Sequence, residues 1–275
     1  MIEGQCYQYP QSFANQLSKL SGKKIINMGI GGNGPLIMLA QIVEYVSFYK
    51  PEIVIWTHFD NDVYNLKVEE QFSPFLLKYF YDDSFSQNLI NRQEEADDAI
   101  RLFTNKRIAD MLSEKIVQKE QNKEFLNFNL IPFVKLQKLR PVIFNDYYLY
   151  KLYNKVKYYL YKDEVDKKSY ELYEKIILKA KNIVNSYGGK IIFVYLPDMI
   201  TIYPDKDSHY MPGTREQTLL IWEKNELNYI DITDTMTRHV YKPEELFVYG
   251  IWGNHYTKFG YKIASEAIYN EKLSD

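Results

Sequence analysis

The sequence predicts an α/β protein, a doubly wound three-layer α/β/α sandwich built on a parallel sheet. Four short runs of β-branched and aromatic residues are typical of buried parallel strands. They are residues 24–28, 53–57, 190–196 and 227–231. Helical stretches alternate with these runs, and alternation of this kind is typical of strands joined by crossover helices. In such sheets ligands bind beyond the carboxyl ends of the strands, so we expect the functional site there.

The predicted helices each show one apolar face. A short helix carries Phe13, Leu17 and Leu20 and is expected to end at Gly22, a residue that suits a left-handed C-cap. Residues 36–49 repeat apolar side chains at helical spacing, and so do residues 170–185. An amphipathic helix over residues 259–273 is expected to close the chain.

Residues 64–165 differ from the rest of the chain. They show no clear pair of strands, are rich in aromatic residues and include a charged helix over about residues 93–121. We therefore predict a mostly helical insertion, with the sandwich formed by residues 1–63 and 166–275. The aromatic rings have two interpretations: a lid that shapes a substrate pocket, or packing of the insertion onto the sandwich.

Composition excludes several classes of function. The net charge of −2 argues against a general nucleic-acid binder, which needs an excess of basic residues. Cys6 is the only cysteine, so neither a disulfide framework nor a thiolate zinc site is expected. The four histidines lack the spacing of metal ligands, and no metal or other cofactor is expected.

Membrane insertion is not expected either. No run of about 18 apolar residues is present, and Glu3-Gly4-Gln5 interrupts any apolar core of a signal peptide after Met1. A cytoplasmic location is expected if Met1 is the true start. The sequence gives no indication of the oligomeric state.

A glycine-rich turn follows the first predicted strand, in the sequence Asn27-Met28-Gly29-Ile30-Gly31-Gly32-Asn33-Gly34-Pro35. Glycines allow positive φ and let the backbone approach a bound oxygen. Amides at the start of the next helix favour negative charge. A phosphate-binding loop is the rival interpretation, but the spacing matches neither common phosphate-loop motif, and no lysine follows.

A second polar segment, Thr57-His58-Phe59-Asp60-Asn61-Asp62, follows the second predicted strand. The Asn61 carboxamide is a neutral donor suited to a developing oxyanion. Asp62 is expected to brace the loop by accepting backbone hydrogen bonds. The alternative is an ordinary polar turn, because Asp and Asn are common turn residues.

His255, in the loop that opens the last helix, is the candidate general base. His58 competes with it because it also follows a strand, although packing alone would explain His58. His209 and His239 have polar surroundings and no evident partner.

Taken together, these segments resemble the SGNH (GDSL-type) hydrolase family, and the resemblance covers the chain except its middle insertion. The turn containing Gly32 matches the family's glycine block, and Phe59-Asp60-Asn61-Asp62 matches its Gly-x-Asn-Asp block with phenylalanine in place of glycine. Gly253-Asn254-His255, followed by Gly260, matches the histidine block. The resemblance implies a flavodoxin-like sandwich and a serine esterase. Gly32 and Asn61 would form its oxyanion hole, and His255 would be its base.

Two departures from the family pattern concern the catalytic triad. By the family's spacing Gly4 places the serine immediately before Met1, so no nucleophile lies in the chain, and the family's first strand is also missing. A fragment or a misplaced start is therefore expected, with a pseudoenzyme as the lesser option. Gly253 stands where the family has its aspartate. Ser12, expected to be a helix N-cap, and Ser21 lack a surrounding glycine turn and are rejected as nucleophiles.

The resemblance implies hydrolysis of a small-molecule or glycan ester through a covalent serine ester. Two alternatives stay open. One is a polysaccharide O-acetyltransferase or deacetylase that uses the same serine chemistry. The other is a non-catalytic module that binds carbohydrate or acyl groups.

Overall fold

The computed structural model describes residues 11–124, 167–203, 214–238, 241–248 and 255–274 of the 275-residue chain. The second predicted aromatic cluster, between residues 147 and 161, lies outside these residues. Within them the fold is α/β, mostly helical with one small parallel sheet.

The sheet has three parallel strands: β1 (Ile53–Phe59), β2 (Lys190–Leu196) and β3 (Tyr229–Asp231). Their spatial order is β1-β2-β3, so β2 is central. Ile53 pairs with Lys190, and Phe193 pairs with Tyr229. Strands are thus found at three of the four predicted runs, and each run is a short apolar segment, as is typical of a parallel sheet.

The predicted strand at residues 24–28 is wrong. The described structure has no strand there, and Ile26 is 62% exposed. Residues 24–28 and β1 line the same cavity, and among the described residues no strand pairs with residues 24–28. A strand needs a partner for its backbone groups, and a β-type sequence alone does not supply one.

The described part of the chain contains twelve α-helices. The predicted helix at residues 36–49 is one continuous run, α2 and α3 joined by a π-helical turn (Ile42–Val46). The bounds are α1 Phe13–Ser21, α2 Pro35–Gln41, α3 Ser47–Tyr49, α4 Asp62–Phe72, α5 Leu77–Tyr81, α6 Gln93–Glu124, α7 Lys167–Ser186, α8 Met199–Ile202, α9 Thr214–Lys224, α10 Thr233–Thr237, α11 Pro243–Leu246 and α12 Lys258–Ile268.

Local sequence explains where several helices begin and end. Gly22 has the left-handed φ of 66° that ends α1. At the other end of the chain, Thr257 caps α12 by accepting a hydrogen bond from the Gly260 amide at 3.0 Å. A Cβ on Gly260 would lie 2.6 Å from the Leu246 carbonyl oxygen, so α12 packs closely on α11 at this glycine.

Hydrophobic clusters cover both faces of β2, because alternate residues of a strand point to opposite sides. Ile192, Val194 and Leu196 belong to one cluster, with residues of α1 and α12. Ile191, Phe193 and Tyr195 belong to the other, with residues of α2, α4 and α7. We call these the α12-side core and the α7-side core.

The chain divides into two compact units. The first consists of Met1–Phe85 and Lys151–Asp275, and the second is Ser86–Tyr150. The first unit extends beyond the predicted boundary at residue 63 because α4 contacts α2 and α7. In the second unit the long helix α6 follows a short 3₁₀ turn (Leu89–Asn91).

The early aromatic residues of the predicted insertion are partly packed into the first unit. Tyr79 is 1% exposed, donates a hydrogen bond to Glu44 at 2.8 Å and contacts the Phe85 ring. Phe72 and Tyr81 are each 73% exposed. Tyr79 is therefore packed within the first unit. Within the described ranges, no helix combines the length and the apolarity that crossing a bilayer requires.

Candidate functional site

A cavity of about 1190 Å³ lies beside β1 and reaches the loop at its carboxyl end. Four of the residues singled out from the sequence line it: Gly32, Asn61, Asp62 and His255. They come from three distant parts of the chain, and the fold places them in the wall of one cavity. Gly253 lies outside the described residues. We call the end of the cavity at these four residues the cleft.

Gly32 lies in the glycine turn with φ at +83°, in the left-handed region that favours glycine. A Cβ there would meet no atom within 4 Å, so conformation rather than space requires glycine. Gly32 is exposed at the surface of the cavity, and its amide has no acceptor among the described residues. This amide is thus available to a ligand in the cleft.

The turn is held by Glu69, a buried residue of α4. Its carboxylate accepts hydrogen bonds from the amides of Gly34 at 2.6 Å, Leu36 at 2.9 Å and Ile37 at 3.4 Å. Burial raises the pKa of Glu69 to about 6, although the three amide bonds work in the opposite direction. These amides begin helix α2, so the position where an anion would bind is already filled by a side chain. The amides at the start of α2 are therefore not available to a phosphate group, which argues against the phosphate-loop interpretation.

Asn61 follows β1 directly and occupies the N-cap position of α4. Its side chain does not cap that helix, and its carboxamide has no hydrogen-bonding partner among the described residues. The backbone carbonyl of Asn61 instead accepts from the Asn65 amide at 2.8 Å. The backbone is therefore fixed by the helix while the side-chain amide stays free to donate into the cleft.

Asp62 braces the loop. Its carboxylate accepts the Phe59 amide at 3.1 Å and lies 3.7 Å from Nδ1 of His58. Burial raises the pKa of Asp62 to about 8, so the protonated acid is favoured at neutral pH. A protonated Asp62 beside a neutral imidazole avoids a buried charge.

His58 packs in the α7-side core. Its ring is fully buried against Tyr173, Tyr195 and Trp222, and its Nε2 lies 3.2 Å from the Thr218 hydroxyl. Burial lowers the pKa of His58 to about 3, which keeps the imidazole neutral. His58 does not line the cavity, so the packing interpretation holds.

His255 lies at the cleft and is only partly buried. Its carbonyl accepts the Val248 amide at 2.8 Å, and Phe247 and Tyr256 form an isolated antiparallel bridge beside it. Its imidazole has no hydrogen-bonding partner among the described residues. Partial burial lowers the pKa of His255, which favours the neutral form that accepts a proton.

Asp60, which sequence reasoning left without a role, forms a buried polar network below the cleft. It accepts hydrogen bonds from the hydroxyls of Tyr195, Thr201 and Thr214 and from the Asp198 amide. Burial raises the pKa of both Asp60 and Asp198. This network ties the end of β1 to the end of β2, from which the two aspartates extend.

Asn33 is a second residue that sequence reasoning missed. It lines the cavity, and its Nδ2 is buried without an acceptor among the described residues. A buried unpaired donor is uncommon in folded proteins, so Asn33 is a candidate ligand contact. Its place beside Gly32 in the turn was the available signal. Glu69 had no such signal, because it acts on a turn 35 residues earlier.

The two serines considered as nucleophiles, Ser12 and Ser21, have structural positions at the two ends of α1. Ser21 lines it, but its hydroxyl donates to the Leu17 carbonyl within α1 at 2.8 Å. Ser12 is buried at the N-cap position of α1, although its side chain makes no capping bond. In the ranges that the structure covers, no cluster of three acidic, histidine or cysteine side chains is placed to bind a metal ion.

Comparison with known proteins gives no relative: no protein-family model, no curated protein and no solved structure matches the chain. The geometry of the cleft is therefore the basis for assigning function.

Gly34→Ala is expected to destabilise the protein by about 1–3 kcal/mol. The added Cβ would lie 2.5 Å from Oε2 of Glu69 and 2.9 Å from the backbone carbon of Asn65. Urea unfolding measures the loss. Since Glu69→Ala removes the nearest atoms, the double variant should lose less than the sum of the two single variants. Strict additivity would contradict the contact.

Asp62→Asn is expected to flatten the pH dependence of stability. The pKa of Asp62 rises from an ordinary 3.8 to about 8 on folding, so the folded state holds this proton more tightly. Its contribution is therefore present at low pH and is lost as pH rises from 4 to 8, by at most about 1.4 kcal/mol per pH unit. Urea unfolding at several pH values tests this. The Asp98→Asn variant, at an exposed side chain, should keep the wild-type slope; an equal slope in Asp62→Asn refutes the prediction.

Proposed function

We propose that the cleft is the active site of an SGNH-type ester hydrolase acting on a small-molecule or glycan ester. One observation carries the proposal: Gly32, Asn61 and His255 line the same cavity, which lies beside β1 and reaches the loop at the carboxyl end of that strand. Two neutral donors and one neutral base are what acyl transfer through a tetrahedral intermediate requires.

The donors are suited to an oxyanion by their lack of other partners. Neither the Gly32 amide nor the Asn61 carboxamide has an acceptor among the described residues. Hydrogen bonds fix the backbone at both positions. Glu69 accepts the Gly34 amide just after Gly32, and the Asn61 carbonyl accepts the Asn65 amide of α4. Donors fixed before the reaction stabilise developing charge without the cost of reorientation.

In the proposed reaction a serine placed immediately before Met1 attacks the ester carbonyl. His255 takes the serine proton and then gives it to the leaving alcohol, which leaves an acyl-serine ester. Water, activated by the same imidazole, then releases the acid. No described carboxylate bonds to the His255 imidazole, so we propose that solvent or a backbone carbonyl orients the ring.

The finer fold is part of the same proposal. A three-layer sandwich of SGNH type is supported by the hydrophobic clusters on the two faces of β2 and by the parallel order of the strands. The non-catalytic binding module is the second candidate. This module is favoured because, among the described residues, no serine at the cleft has a hydroxyl available to attack an ester.

Residues 1–275 are expected to release no product from a short-chain aryl ester, whereas a chain with Gly-Asp-Ser joined ahead of Met1 should hydrolyse it. In the extended chain His255→Ala should abolish turnover. Asn61→Ala should lower kcat by about 100- to 1000-fold, the usual loss for one oxyanion donor. Stopped assays of product release measure both effects.

The exposed Asn185→Ala is the matched control and should leave kcat unchanged. Hydrolysis by residues 1–275 that depends on His255 would show that the nucleophile is misplaced. A folded, Ser-bearing chain with no activity on any ester would favour the binding module. Release of acetate from acetylated glycans, in preference to simple esters, would favour the deacetylase alternative.

A further inference from the structure

Asn61 and His255 each stand next to a buried polar residue. Asn61 lines the cavity, whereas its neighbour Asp60 is 3% exposed. His255 lines the cavity as well, whereas its neighbour Tyr256 is fully buried in the α12-side core. Because adjacent residues are joined by a rigid peptide link, the contacts that hold Asp60 and Tyr256 also limit where Asn61 and His255 can lie.

Asp60 and Tyr256 bind the same peptide group, the one between Pro197 and Asp198 just after β2. The Tyr256 hydroxyl donates to the Pro197 carbonyl at 2.5 Å. The Asp198 amide of that peptide group donates to Oδ2 of Asp60 at 3.3 Å. A trans peptide group is planar, with its C=O and N–H on opposite sides. The two side chains therefore reach one rigid plane from opposite directions.

This peptide group is itself held on both sides. Before it, Leu196 ends β2 in register with Phe59 of β1. After it, the Asp198 carboxylate caps α8 by accepting the Thr201 amide at 2.7 Å. The peptide group is thus a fixed point between the end of a central strand and the start of a helix.

The Tyr256 side chain has little room to move away from this peptide group. Its ring packs against the rings of Phe247 and Tyr261, with centroids 5.3 Å and 5.8 Å away. A Cβ on Gly260 would lie 3.2 Å from the Tyr256 Cβ, so α12 is also close. The bond from the Tyr256 hydroxyl therefore joins a tightly packed ring to the end of β2.

The two hydrogen bonds at the peptide group are expected to strengthen each other. A donor at the carbonyl polarises the peptide and makes its N–H a better donor, and the effect is larger away from water. Loss of the Tyr256 hydroxyl should therefore weaken the bond from the Asp198 amide to Asp60. A weaker hold on Asp60 should in turn weaken the bond from Tyr256.

We propose that the Pro197–Asp198 peptide group sets the spacing between the Asn61 carboxamide and the His255 imidazole, with Asp60 and Tyr256 as positioning residues. The catalytic consequence of this spacing rests on the proposed function, because it requires Asn61 and His255 to act on one ester. The coupling through the peptide group does not require hydrolysis, so it can be measured on residues 1–275.

The first test is NMR on residues 1–275 carrying Tyr256→Phe, which keeps the ring and removes the hydroxyl. The resonances of the Asp198 amide and of the Asn61 carboxamide should both shift. Tyr203→Phe is the matched control, because it removes another tyrosine hydroxyl that donates to a carbonyl, that of Tyr241 at 2.8 Å. The control should leave the Asn61 carboxamide unchanged.

The reciprocal test is Thr214→Val, which removes a hydroxyl that donates to Asp60 at 2.8 Å and keeps the shape of the side chain. The resonances of the His255 ring should shift in this variant. An unshifted Asn61 carboxamide in Tyr256→Phe would overturn the inference. If Tyr256→Phe does not fold, an unshifted His255 ring in Thr214→Val would overturn it instead.

The catalytic test uses the chain with Gly-Asp-Ser joined ahead of Met1. There Tyr256→Phe should lower kcat about tenfold and leave KM unchanged, because a displaced base affects the reaction and not the binding of the ester. An unchanged kcat would overturn the positioning role. An inactive extended chain would instead refute the proposed function, and the NMR tests would still decide the coupling.

Discussion

The pairing of β1, which among the described residues involves β2 alone, is the constraint on which the rest of the structure depends. Its inner edge fixes the strand to β2 through seven paired residues, and its outer edge forms a wall of the cavity. The loop beyond its end carries Asn61 into the cleft and sends Asp60 into the buried network with Tyr195. A change in register of one residue would exchange these two side chains between cleft and core.

Buried carboxyl groups hold the cleft in shape. Glu69 joins α4 to the glycine turn, and Asp62 closes the loop after β1 on the Phe59 amide. Burial raises the pKa of both groups, because a charge in these positions loses contact with water. Burying a carboxyl group costs free energy, and in both positions the buried group accepts hydrogen bonds from backbone amides. The donors proposed for the oxyanion, Gly32 and Asn61, have no acceptor of their own among the residues that the structure describes.

The sequence predicted what is encoded locally. The strands at β1 and β2, the helix ending at Gly22 and the candidate residues of the cleft all follow from short patterns of side chains. The strand predicted at residues 24–28 failed because pairing depends on a neighbour that local sequence does not reveal. The contact of Glu69 with Gly34 and the burial of Asp60 likewise depend on residues far apart in the chain. Long-range contacts of this kind leave no periodic pattern.

The central claim is that Gly32, Asn61 and His255 act on one ligand. The most direct measurement is an NMR titration of residues 1–275 with a short-chain alkylphosphonate, a tetrahedral anion that mimics the intermediate. The account predicts that the Gly32 amide, the Asn61 carboxamide and the His255 ring shift together with a single Kd, and that Asn61→Ala weakens the response of the other two. Shifts with unrelated affinities, or shifts confined to another surface, would contradict it.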